Sequence, residues 1–150
     1  MAAALPPKGT THRVITHIGD MNNYPDGVLK WHLVYLEHDE SAVTAQLIFR
    51  SLAVIWINNM IEFQGNPFLI CSIYDSGLYY VGFVKMDATA HLTYAYRTPL
   101  QTLITGSKQA IAKTDKVIIL DESLSPLCFF IVADANPAVM DTMVITTIDV

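Results

Sequence analysis

Residues Ser51–Ile70, "SLAVIWINNMIEFQGNPFLI", are mostly apolar, and whatever the chain folds into has to cover them. A membrane span needs roughly 20 consecutive apolar residues. The most apolar part, residues 43–57, is shorter and carries Gln46 and Arg50, so no membrane insertion is expected. The stretch reads instead as a helix over about residues 42–64. Ala45, Phe49, Leu52, Trp56, Met60 and Phe63 recur at steps of three and four, as a 3.6-residue period demands. Ser41 stands as N-cap behind Asp39 and Glu40, whose carboxylates suit a helix N-terminus, and Gly65-Asn66-Pro67 is a stop signal. Leu47, Ile48, Val54, Ile55 and Ile61 fall off the stripe, so such a helix has to be buried on more than one side.

Around this helix the chain reads as strands. "HRVITHIG" and "GVLKWHLVYLEH" are rich in β-branched and aromatic residues and flank the turn formers of "DMNNYPDG", which predicts an antiparallel hairpin. "FLICSIY", "LYYVGFVKM" and "HLTYAYR", separated by "DSG" and "DATA", predict a meander. "TPLQ" predicts a second helix with Thr98 as N-cap, Pro99 in the first turn and Gln101 at the capping-box position, continued by Leu100, Leu103, Ile104, Ser107 and Ile111. "KVIIL", "LCFFIVA" and "MVITTIDV" are three more strands.

The expected fold class is therefore α+β: a largely antiparallel sheet with two helices in the order ββαβββα-ββ-β. Residues 1–11 are expected to form an extended N-terminal arm, and residues 12–150 a single domain ending in a C-terminal strand. Over about residues 12–113, the order ββαβββα resembles that of roadblock, longin and profilin-like domains. The resemblance implies a small dimeric adaptor scaffold that pairs through a sheet edge or a helix.

Composition narrows the function classes. Only 15% of residues are charged and 52% are hydrophobic, against about a quarter charged in ordinary soluble domains. So little charge points to apolar surface covered by other subunits, since large exposed apolar patches mark interaction sites. A net charge of -5 with a pI near 5.3 argues against nucleic-acid binding, which needs a basic footprint. Lys108, Lys113 and Lys116 form a short basic cluster without interleaved aromatic residues. Pro6-Pro7 interrupts the first apolar residues and no charged region precedes them, so the start does not read as a signal peptide. An intracellular or virion location is expected rather than secretion. Cys71 and Cys128 sit inside apolar runs, where free thiols behave as small hydrophobes.

Candidate chemistry is sparse. His17 and His32 share a face if the first hairpin turns near Asn23-Tyr24, and a metal- or ligand-binding module would use that face. No third ligand is placed beside them, so no metal and no cofactor is assigned. "EHDE", residues 37–40, offers adjacent rather than facing acids. Gly-x-Ser-x-Gly, GxGxxG and GxxxxGK sequences are absent. Tyr74, Tyr79, Tyr80, Phe83, Tyr94 and Tyr96 cluster in the meander, as core residues and interface anchors do. The resulting expectation is a non-enzymatic structural subunit of a larger assembly, most concretely a virion component such as a capsid-decoration, minor-capsid or tail protein. Its partners would be further copies of itself or other structural subunits. Leu5, Pro6, Pro7, Trp56, Val144, Ile145 and Ile148 are the expected interface residues.

Overall fold

The computed structural model describes residues 2–20, 30–39, 41–51, 54–101, 108–121 and 128–144. These form twelve strands in three antiparallel four-stranded sheets, and no helix occurs among the described residues. The fold is all-β, which overturns the α+β expectation. The first sheet is a meander of β1 (Ala2–Lys8), β2 (Thr11–Asp20), β3 (Lys30–His38) and β4 (Val43–Ser51). The second is a meander of β5 (Val54–Phe63), β6 (Asn66–Asp75), β7 (Leu78–Met86) and β8 (Leu92–Gln101). The third follows with β9 (Lys108–Ala112), β10 (Lys116–Asp121), β11 (Cys128–Ala133) and β12 (Asp141–Val144).

The helix expected over residues 42–64 is instead β4 and β5. The helix expected from Thr98 is the end of β8 and then β9, with residues 102–107 outside the described residues. Thr98 is buried within β8 rather than capping a helix. Without those helices, the element order that resembled roadblock, longin and profilin-like domains is gone. The N-terminal arm is a strand: β1 pairs with β2 from Ala2 opposite Thr16 to Lys8 opposite Thr11.

Two cores stack the sheets into three layers. Ile15, Leu33 and Ile48 of the first sheet meet Ile55, Ile57, Leu69, Cys71, Val84 and Met86 of the second. The opposite face of the second sheet presents Phe63, Phe68, Ile70, Val81 and Phe83 to Val117, Ile119, Cys128, Phe130 and Val132 of the third. The second sheet is thus buried on both faces, which is why β6 and β7 read as unbroken apolar runs rather than alternating ones. The part of the greasy stretch in β5 and β6 therefore lies in a sheet covered by protein on both faces.

A bulge helps β5 serve both cores. The register shifts at Asn58, because Ile57 pairs with Cys71 and Asn59 with Ile70. One inserted residue reverses the parity of everything after it. Before the bulge Ile55 and Ile57 face the first sheet; after it Met60 does, while Ile61 and Phe63 face the third. The first two of this sheet's three hairpins turn through Gln64-Gly65 and Ser76-Gly77, with positive φ at all four residues. That is the type I′ geometry that matches the twist of flanking strands.

Candidate functional site

Three features of the stack carry chemistry or contact. The first is a cleft of ≈ 310 Å³ between the first and second sheets, walled by Leu5, Arg13, Tyr35, Glu37 and Gln46 on one side and by Asn66, Pro67 and Asp87 on the other. Its polar groups hold the walls together. Tyr35 donates to Glu37 at 2.9 Å, and Glu37 faces Arg13 across the β2–β3 ladder. Burial, then the bond and the charge of Glu37, push the Tyr35 phenol up. Gln46 Nε2 donates to the carbonyls of Thr89 and Ala90, tying β4 to the β7–β8 loop. The Asp87 carboxylate organises that loop by accepting from the backbone N–H groups of Thr89 and His91. The His91 amide, ahead of the Thr89 bonds, holds Asp87 below the usual carboxylate range.

The second feature is a pair of Lys–Asp contacts at opposite ends of the core between the second and third sheets. At one end Lys85 Nζ lies 2.7 Å from Asp134 Oδ1 and donates to Gln64 Oε1 at 2.7 Å, while Tyr94 donates to Asp134 at 2.9 Å. Lys85 also sits 5.1 Å over the Phe63 ring and 5.6 Å over Tyr94, so the cation is held by both a carboxylate and aromatic faces. At the other end Lys108 of β9 and Asp121 of β10 face each other in register. Their Nζ and Oδ2 atoms are 3.7 Å apart and both side chains are fully buried. Asn59 Nδ2, beside the bulge, donates to the Lys108 carbonyl at 3.1 Å and pins β9 to β5. Asn58 accepts from Ser72 at 2.8 Å.

The third feature is the outside of the stack. In the third sheet the residues alternating with the core include Ile111, Ile118, Leu120, Phe129, Ile131 and Met143, with Gln109 and Asp141 at the ends of their rows. Ile111 opposes Ile118, which opposes Ile131; Leu120 opposes Phe129, which opposes Met143. Ile111 is 59% and Met143 56% exposed, and the four between them are half-buried. The outer face of the first sheet carries Val14, Leu36 and Ala45 in one row and Thr16, Leu47 and the buried Val34 in the next, while Val43, 66% exposed at the edge, shares its row with His38 and His12. An antiparallel sheet with one solvated face normally alternates apolar with polar; here apolar residues hold the middle of the third sheet's outer face, and polar residues stand only at the ends of these two rows.

The residues singled out from sequence are scattered. Leu5 packs half-buried on the core between the first two sheets. Pro7 is exposed in β1 and Trp56 half-buried in β5. Val144 is exposed at the end of β12, while Ile145 and Ile148 lie outside the described residues, as does the side chain of Pro6. His17 pairs with Leu33 and His32 with Ile18, so the two do not oppose each other in the ladder; their side chains are outside the described residues. No group of three His, Cys, Asp or Glu that would hold a metal occurs among the described residues. Nor, among them, is any helix long and apolar enough to cross a membrane. Sequence reasoning missed the outer face of the third sheet, although "KVIIL" and "CFFIVA" lack the polar alternation of a half-solvated strand. No family model matches the chain, and no curated protein or solved structure matches it.

Proposed function

We propose that the chain is a non-enzymatic structural subunit that assembles with further copies of itself through the apolar outer face of its third sheet, and that a virion component is the most concrete setting for it. One observation carries this reading: Ile111, Ile118 and Ile131 adjoin Leu120, Phe129 and Met143 on the outer side of a sheet, as an apolar patch whose rows end on Asp141 and Gln109. A second copy of the chain fits that face because the molecule already packs sheets of this composition against each other twice, through side chains of the same types. The low charge of the chain agrees with it. The cleft groups, by contrast, are engaged with one another and with a turn, and no catalytic step is assigned to them.

Native mass measurement at micromolar concentration tests the proposal. The wild type is expected as a multimer. Ile131→Lys and Phe129→Lys, which leave both cores untouched, are expected to shift it toward the 16.7 kDa monomer with an unchanged β-sheet circular dichroism spectrum. A wild type that stays monomeric and soluble overturns the proposal, as does a multimer indifferent to both substitutions.

A further inference from the structure

A chain with few charges has placed a lysine and an aspartate, both fully buried, face to face on adjacent strands. As an ion pair this is a poor use of a core, because desolvating two charges offsets most of their attraction. We propose that Lys108 and Asp121 are joined by an intramolecular isopeptide bond, the side-chain amine condensed onto the side-chain carboxyl with loss of one water. Several features favour the reaction. Register keeps the two groups opposite each other, and the Asn59 bond to the Lys108 carbonyl fixes the strand that carries the amine. Held this way, the two groups react as one molecule, with the large effective concentration that such positioning confers. Cys128 faces Asp121 from β11, and Val117 and Ile119 continue the buried face, so the surroundings disfavour charge.

The step balances without an added reagent. Proton transfer from the Lys108 ammonium to the Asp121 carboxylate gives a neutral amine and a carboxylic acid, the form that a dry interior prefers. Burial lowers the pKa of Lys108, although the charge of Asp121 opposes this. The Nζ lone pair attacks Cγ of Asp121, and a C–N bond forms. The C–OH bond then breaks, and the hydroxyl leaves as water with one proton from the nitrogen. Two buried ions become one neutral amide, and β9 is fastened covalently to β10.

The test is mass spectrometry of the denatured full chain, so variants that fold poorly remain readable. The wild type is expected to be lighter than its sequence by the mass of one water, and Lys108→Met and Asp121→Leu to show their full sequence masses. Tryptic digestion should fail to cut after Lys108 and should yield a branched fragment joining the Lys108 and Asp121 peptides. A wild type at full sequence mass, with the Lys108 peptide released normally, overturns the proposal. A water loss mapped to any other aspartate overturns it as well.

Discussion

Ile73 lies across Gly82 so closely that a Cβ built on the glycine would stand 2.3 Å from Ile73 Cδ1 and 2.9 Å from Cγ1. Gly82 opposes Cys71 in the β6–β7 ladder, and Ile73, two residues along on the same face, fills the space a side chain would occupy. Gly82→Ala is therefore expected to cost about 1–3 kcal/mol, in the range of overpacked cores. Because the closest atoms belong to a side chain rather than the backbone, Ile73→Ala should remove most of that cost. A double-mutant cycle by urea denaturation measures it; additive effects of the two substitutions would show that the contact is not the cause.

The turns make a second prediction. Ser76 has φ +53° ahead of Gly77, and asparagine is favoured over serine at the first position of a type I′ turn. The Ser76 side chain makes a local bond to Asp75 at 3.2 Å in an exposed turn. Ser76→Asn should raise stability by roughly 0.5–1 kcal/mol, a gain typical of optimised turns and caps. Ala90, with φ +61° in the β7–β8 loop, is buried. Ala90→Val should destabilise, because a β-branched residue tolerates that region worse than alanine. Thermal melting of both variants provides the measurement.

Acid should act at one end of the stack. Burial pushes the Asp134 carboxyl up, but the hydrogen bonds from Lys85, Tyr94 and Gln64, with the Lys85 charge, outweigh it and hold Asp134 below its usual range. A folded-state pKa below the unfolded one contributes stability that is complete above the unfolded value and is lost as pH falls through the folded value. The loss thus falls on the acid side of the ordinary carboxylate range. Asp134→Asn is expected to lower stability at neutral pH by about 1–3 kcal/mol, and to flatten the acid limb of the stability–pH curve. An unchanged acid limb would remove Asp134 from the account.

The thiols should be silent in the native state. Burial pushes the Cys71 thiol up to about 12. Burial also raises the Cys128 thiol. Since the thiolate is the reactive form, a thiol-specific reagent should label neither cysteine until denaturant is added. Labelling of Cys71 at the rate of a free thiol in the native protein would place it outside the core described above.

Strand positions were legible wherever turn chemistry was explicit. The breaks at Asp75-Ser76-Gly77 and at Asp87–Ala90 separate β6, β7 and β8 as the residues themselves suggest. Residues 42–64 misled for a physical reason. Period-two alternation marks a strand with one buried face, and β5 lies in a sheet covered on both. Its bulge at Asn58, and a register shift in β4 opposite Leu33 and Val34, add single residues that break the period further. Ala45, Phe49, Trp56, Met60 and Phe63 then fall by accident at helical spacing on two different strands. Capping residues misled in the same way: Asp39 accepts from the Ser41 and Ala42 amides, but to close the β3–β4 turn rather than to start a helix. The Lys108–Asp121 pairing had no local signal, because it depends on the register of two strands joined through Lys113–Asp115.

Leu5 and Pro7 separate a working first strand from a loose arm. Leu5 opposes Arg13 in the β1–β2 ladder and packs on the core that contains Ile15 and Leu33, whereas Pro7 is exposed in the same strand. Leu5→Ala should cost about 1–2 kcal/mol, below the usual loss for a fully buried leucine because Leu5 is only half-buried. Pro7→Ala should change stability by no more than about 0.5 kcal/mol, as exposed substitutions do. Urea midpoints for the two variants decide the matter. Equal midpoints for both and for the wild type would mean that β1 adds nothing to the fold and that the edge of the first sheet is in effect β2.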